Sequence, residues 1–366
     1  MTRAWRFLLQ WFRGGSPVAA WRKAETGRRV DELLRQAIDQ GLVPGLAIQV
    51  MHRGRTWLER GYGLADLERL TPVSPGSTLF RIASVSKPIT ATALARMVAA
   101  GQIGLEDPLN EYVPEYPAQG IRLCHLAAHM AGVRGYRGRE PALNRPLSIA
   151  DSLELFRDDP LLFDPGKGFL YNSFDFVLLS LAMERAAGKP FPRLVQGLVL
   201  EPLQMRHTMA EIPGNPQPGQ ARFYSRGRQG FRPATEVDNR FKLAGGGYLS
   251  TVGDICRLGQ AYLDRAIAPD TVLREFLTSK DGPDGPTWYG LGWQVSQDAA
   301  GRPYYGHVGN GVGGYGNFYV YPEQELVIAM LMNCTDPKVQ PLLDLVVEAI
   351  HLETGGAATE APLSQG

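Results

Sequence analysis

At 366 residues the chain is long enough to bury a sizeable core, in two domains or in one domain with a large insertion. With 44% hydrophobic and 20% charged residues it has an ordinary globular composition, and a net charge of +1 leaves no global basic footprint for nucleic acid. Three widely separated cysteines, Cys124, Cys256 and Cys334, argue against a disulfide framework and for reduced, buried thiols.

The stretch 5–12 (WRFLLQWF) is apolar but short, and Arg6 and Gln10 interrupt it. It lacks the clean apolar run and small-residue cleavage site of a signal peptide, and the roughly twenty apolar residues of a membrane span. Residues 1–24 read as a leader helix packed on the domain or a loose tail. With Arg3, Arg6, Arg13, Arg22 and Lys23 they also suit a basic amphipathic segment resting on a membrane surface. The expected location is cytoplasmic, and peripheral membrane contact through this leader is the alternative to its being packed or loose.

Residues 28–40 have helical spacing (Val30, Leu33, Leu34, Ile38) and stop before Gly41. The segments 45–51 and 56–62, split by Arg53-Gly54, predict a strand hairpin. A helix over 88–100 follows. From 101 to 286 the signals are helices and loops, with helices at 148–157, 173–187, 191–200 and 252–263. The segment 123–133 reads as a buried helix ending at Gly132, and 215–233, rich in Gly, Pro and Arg, as a surface loop. Strands return at 290–296, 315–321 and 326–333, the last two joined by a turn at Pro322-Glu323-Gln324. A closing helix covers 339–352, and the Gly/Ala-rich tail from 355 is predicted disordered.

This order predicts an α+β fold. Strands from both ends form one antiparallel sheet flanked by the terminal helices (25–100 and 288–354), and 101–287 makes an all-helical subdomain. A ligand site is expected in the cleft between the two parts.

Three short motifs carry chemistry. In Ser84-Val85-Ser86-Lys87 a hydroxyl and an amine three residues apart share one helical face. Serine needs a base to become a nucleophile at neutral pH, and a lysine buried among Ile89, Ala93 and Leu94 can lose its proton readily enough to be one. Tyr171-Asn172-Ser173 follows the turn 164–168 and precedes a helix; a tyrosine beside a lysine is a plausible base because the positive charge favours the phenolate. His307-Val308-Gly309 opens a glycine-rich run before a strand, where backbone N–H groups can approach an oxyanion. His125 and His129, spaced i,i+4, suggest a metal pair only weakly, because no H-E-x-x-H accompanies them; no metal or other cofactor is expected. The sequence contains no G-x-S-x-G, which argues against a Ser-His-Asp hydrolase.

Taken in order, the motifs resemble the serine β-lactamase and penicillin-binding-protein superfamily over about residues 30–351. The likeness includes LFRIA before Ser84, GLEDPL at 104–109, the segment 126–132, the Pro-Gly turn before Tyr171, and AGGGYLST at 244–251. It is nearest to the class C β-lactamase-related branch, which holds D,D-peptidases, D-amino-acid peptidases, promiscuous esterases and the mitochondrial β-lactamase-like serine protease. The resemblance implies a β-lactamase/transpeptidase-like fold with Ser84 as acylated nucleophile, Lys87 as its proton partner, and Tyr171 activating Ser84 or protonating the leaving group. It implies His307 in the place of the K-T-G lysine, and an oxyanion hole from the N–H groups of Ser84 and Asn310, beside Gly309.

Two departures bear on substrate. Ser173 stands where the family's tyrosine motif ends in Asn, with Asn172 in its variable middle, and either residue is a candidate for substrate binding. Val308 replaces a hydroxyl that would hold a substrate carboxylate. These changes favour a small ester or peptide-like amide as the partner molecule over a β-lactam. The alternatives are a D-amino-acid or D,D-peptidase, a weak β-lactamase, or a non-catalytic binding protein with the same fold. The sequence EPALN at 140–144, similar to a deacylation motif of class A β-lactamases, lies before Tyr171 and reads as coincidence.

Overall fold

The computed structural model describes residues 17–356, with side chains from 27 to 355. Most of the leader expected over 1–24 and most of the tail beyond 355 therefore lie outside the described residues. Helix α1 (Pro17–Asp39) leads into strands β1 (Gly45–His52), β2 (Arg55–Asp66) and β3 (Thr71–Pro72). Helices α2 (Ser86–Ala99), α3 (Phe174–Ala187) and α4 (Val252–Leu263) follow. Strands β4 (Gln294–Gln297), β5 (Pro303–Gly311), β6 (Gly314–Tyr321) and β7 (Leu326–Met332) precede the closing helix α5 (Gln340–Gly356). No described helix is long and apolar enough to cross a membrane.

Contacts divide the chain into two units. One holds α1 and α5, which pack against each other; the other is Val43–Pro337. Within the second unit seven strands form a sheet in the order β4-β5-β6-β7-β1-β2-β3, antiparallel throughout. Strands from the two ends of the sequence meet at its centre, where Met332 of β7 lies between Leu46 of β1 and Tyr315 of β6. Every residue of β6 and β7 is buried, as expected for a run such as LVIAMLM whose side chains on both faces are apolar. Helix α4 packs on β1, β6 and β7; Thr251 caps it by accepting from the Asp254 N–H at 3.3 Å.

The segment 101–287 is not purely helical. Tyr248–Ser250 pairs with Phe80–Arg81 on one side and Met209–Ala210 on the other. The expected surface loop 215–233 contains a hairpin, Tyr224–Gly227 with Gly230–Pro233, whose first strand also pairs with Cys334–Thr335. These strands have two to four residues, too few for a period-of-two pattern to show. The helix expected over 123–133 ends at Ala127, and His129 has a left-handed φ of 60°. The helices expected at 148–157 and 191–200 become a 3-10 turn at Asp151–Leu155 and a short helix at Phe191–Val195 that widens into a π turn. Strand β5, which reads as a glycine-rich loop, is held by partners on both edges.

Candidate active site

The site is built on the turn that carries Ser84. Phe80–Arg81 is pinned to Tyr248–Ser250, and a 3-10 turn at Ala83–Val85 then feeds α2. Ala83 has φ of 45°, a left-handed conformation that costs a non-glycine residue about 1 kcal/mol or more. That strain sits one residue before the half-buried Ser84. Strand β5 passes against the same turn. A Cβ on Gly309 would lie 2.3 Å from the Ile82 carbonyl oxygen and 3.2 Å from the Ser84 nitrogen, so this approach needs glycine.

Lys87 occupies the first turn of α2 and is wholly buried. Its Nζ lies 3.2 Å from Ser84 Oγ and donates to the Gly245 carbonyl at 2.9 Å. The rings of Tyr171 and Phe176 lie 4.7 and 5.2 Å from it. Burial disfavours the ammonium and lowers its pKa to about 7, against a smaller opposing pull from Asp175. A substantial share of Lys87 is thus neutral at physiological pH, with its nitrogen 3.2 Å from a serine hydroxyl.

Tyr171 comes to the same oxygen from the other side, its hydroxyl donating to Ser84 Oγ at 2.7 Å. The residue is 39% exposed, yet the surroundings of its hydroxyl push the phenol well above its ordinary value, burial outweighing the opposing effect of its hydrogen bond with Ser84. This corrects the expectation that positive charge would make Tyr171 ionise easily. Removal from water opposes the phenolate here more strongly than a half-neutral lysine favours it.

The remaining candidates divide. Ser173, Asn310 and Gly311 line a cavity of about 290 Å³ that also opens on Ser84 and Tyr171. No hydrogen bond joins Ser173 to Lys87 among the described residues. Asn310 accepts from the Asp336 N–H at 3.3 Å through its side chain. Asn172 borders the cavity, but its amide nitrogen donates to Val133 O, Leu170 O and Asp175 Oδ2, and its oxygen accepts from Asp175 N at the start of α3. Its oxygen caps α3 and its nitrogen is taken up by the two carbonyls and the Asp175 carboxylate, which leaves the expected substrate contact without a group to make it.

His307 is 1% exposed and does not line the cavity. Its Nδ1 lies 2.7 Å from the Val308 carbonyl, which can only accept, so Nδ1 carries the proton. Nε2 therefore accepts from the Tyr289 hydroxyl at 3.0 Å. Burial lowers its pKa to about 3, with Lys87 adding to the effect. His307 is a neutral residue behind the site, in place of one lining it.

Sequence reasoning missed a second buried pair, His129 and Asp175. His129 Nδ1 is 3.0 Å from Asp175 Oδ2, and its ring is 4.5 Å from Tyr171 and 4.8 Å from Tyr289. Burial pushes Asp175 well up and His129 well down. The i,i+4 relation of His125 and His129 dissolves because the helix ends between them, and no described cluster of His, Cys, Asp and Glu could hold a metal ion. Tyr136, Asn239 and Lys242, which line the same cavity, were missed too; Lys242 stands three residues before the first glycine of the run 245–247, and that nearness was the signal at hand. A wider depression of about 850 Å³ bordered by Arg53, Gln260 and Arg274 shares no residue with this site. The cysteines are unpaired, Cys256 and Cys334 buried and Cys124 half-buried.

A family model described as Beta-lactamase matches residues 30–351, most of the chain. The chain belongs to the β-lactamase family. This β-lactamase-family chain is 29% identical to the serine beta-lactamase-like protein LACTB, mitochondrial, of Homo sapiens, over 63% of its length and 55% of that protein's. It is 27% identical to the beta-lactamase of Escherichia coli K12, covering 84% of this chain and 89% of that one. With esterase EstB of Burkholderia gladioli it shares 35% identity over 50% and 51% of the two chains. It thus spans about half the length of two of these three relatives. The D-amino acid amidase of Ochrobactrum anthropi SV3 superposes with a TM-score of 0.81 at 21% identity, over 90% of this chain and 99% of that one, and so shares the β-lactamase/transpeptidase fold.

Proposed function

We propose that the protein is a serine hydrolase that forms an acyl-enzyme at Ser84 from small esters or amides. The observation that carries this reading is one oxygen, Ser84 Oγ, held 3.2 Å from a buried lysine amine and 2.7 Å from a tyrosine hydroxyl. Neutral Lys87 takes the Ser84 proton as Oγ forms its bond to the substrate carbonyl carbon. The charge on the carbonyl oxygen is met by the backbone N–H groups of Ser84 and Asn310, on the two segments that Gly309 allows to touch. As the carbonyl re-forms, the bond to the leaving group breaks, and the proton reaches that group through Lys87 and Tyr171. Water, losing its proton to Lys87, then releases the acid and restores Ser84.

Two features support an enzyme over a non-catalytic binding protein. A lysine lowered to about 7 has use as a base and none as a structural cation, and the turn before Ser84 is strained. The names of the relatives EstB and D-amino acid amidase are in keeping with ester and amide substrates. Neither His307 nor Val308 presents a cation or hydroxyl from β5, so a substrate carboxylate finds no anchor on that strand. Intact mass after a fluorophosphonate probe tests the reading: one adduct is expected on the wild-type protein and none on Ser84→Ala. Labelling that persists in the variant would reject it.

A further inference from the structure

The cavity wall formed by Tyr136, Asn239 and Lys242 takes no part in the steps above. Lys242 is 8% exposed, and its ammonium has three protons to donate. Among the described residues only the Pro141 carbonyl accepts from it, at 2.5 Å, and it forms no ion pair. The rings of Tyr136 and Phe241 lie 5.8 and 5.7 Å away. Tyr136 lines the same cavity, and its buried hydroxyl lacks a hydrogen-bond partner of good geometry, although the Ser173 side chain is close enough to act on it.

The acids near Lys242 are committed elsewhere. Glu211 accepts two bonds of 2.7 Å from the Arg81 guanidinium and one of 3.0 Å from Asn239. Asp238 is held by the Arg240 guanidinium at 2.9 and 3.0 Å. The cavity lining contains no carboxylate, and its charged residues are Arg81 and Lys242. Burial lowers Lys242 to about 8, with Arg81 adding to this and Asp238 and Glu211 opposing it. A buried ammonium with no ion pair among the described residues, in the same cavity as Ser84 and the Tyr136 ring, is complementary to an anion.

We propose that Lys242 anchors a carboxylate on the substrate, so that the site takes esters or amides with an anionic carboxylate close to the scissile carbonyl. This inference rests on Ser84 being the acylated residue and narrows its substrate class. It also answers the sequence-based argument against carboxylate binding. The cation missing from the β5 motif is supplied by the segment before the glycine run, from another wall.

Matched chromogenic and phenyl esters test it. Mono-p-nitrophenyl glutarate against p-nitrophenyl butyrate places the carboxylate in the acyl part, and 4-acetoxybenzoate against phenyl acetate places it in the leaving group. At pH 7 one anionic ester is expected to exceed its neutral counterpart in kcat/KM by about ten-fold or more, relative to the ratio for uncatalysed hydrolysis. Lys242→Met should bring that preference to within about two-fold, while Lys242→Arg retains most of it. In the wild-type protein the preference should also fall as pH rises through about 8, a readout that needs no variant. Absence of preference for both anionic esters, or its survival in Lys242→Met, would overturn the assignment. If no ester is turned over and no probe labels Ser84, the hydrolase reading itself fails; a Ser84-dependent esterase indifferent to carboxylate removes only the role of Lys242.

Discussion

Lys87 Nζ stands 3.2 Å from Ser84 Oγ with no exposure to solvent, and the same nitrogen donates to Gly245 O from a segment over 150 residues away. The serine and lysine meet because they are three apart on one turn. The lysine's pKa is lowered because distant chain closes over it.

The acid limb of the pH profile should report Lys87. As the base it must be neutral, so kcat/KM should rise with pH through about 7 and flatten above. With Tyr171 held well above its ordinary value, no phenolate ionisation should appear near neutrality. A profile of kcat/KM from pH 5 to 10 checks this; a limb centred below pH 5 would exclude Lys87 as the base.

Lys87→Met should abolish turnover and stabilise the fold. The folded pKa of about 7 lies below the ordinary 10.5, so between these values the unfolded chain binds more protons than the folded one. Stability therefore rises with pH across that window, and below it the buried amine costs on the order of a few kcal/mol. An apolar side chain of similar length removes this cost, offset in part by the unpaired Gly245 carbonyl. Thermal melts at pH 6 should show a higher Tm for the variant, with the gap closing towards pH 10.

Tyr171→Phe removes the donor at 2.7 Å from Ser84 Oγ without emptying its ring site. A loss of about 10²-fold or more in kcat is expected, with the limb near pH 7 retained because Lys87 sets it. Steady-state kinetics of this variant against pH separate the two roles; loss of the limb would make tyrosine the titrating group.

His307→Ala tests whether the buried imidazole has any proton-transfer role. The change leaves the Tyr289 hydroxyl without its acceptor and opens a cavity, at a cost of about 2–4 kcal/mol in stability by denaturant unfolding. The shape of the pH profile should not change, since His307 is neutral above about pH 3.

Gly309→Ala should disable the site through the backbone. The new methyl would meet Ile82 O at 2.3 Å, so β5 or the Ser84 turn must shift. A kcat loss of more than about ten-fold is expected, since misplacement of reacting groups by about an ångström is costly. Comparison with Gly311→Ala, whose Cβ would stand 3.0 Å from the Ala83 Cβ and 3.9 Å from its Cα, a milder overlap than that at Gly309, should show the smaller effect.

Much of the fold was legible because its longer elements repeat a pattern. The apolar runs of β6 and β7, the spacing of α3 and α4, and the hairpin β1–β2 are local signals, and their order implies one sheet made from both ends. Strand β5 was hidden because its glycines carry no apolar alternation; it is a strand because β4 and β6 pair with its two edges. The two-residue strands around Tyr248 escaped for a similar reason, being defined by partners and not by composition.

For the site, the amino-acid sequence by itself determined which side chains could act together. The i,i+3 spacing of Ser84 and Lys87 is a property of one helical turn, and the ordered motifs with Tyr171 and His307 carried a resemblance to the family whose model matches residues 30–351. Only the tertiary structure decided what each group can do. Protonation depends on burial and neighbours, which come from remote segments: Gly245 and Phe176 enclose Lys87, and Tyr289 and the Val308 carbonyl engage both nitrogens of His307. Asn172 was drawn into capping a helix, and Lys242 was brought to the cavity with no acid paired to it among the described residues. Local geometry follows from neighbours in sequence, whereas desolvation is a property of everything packed around a group.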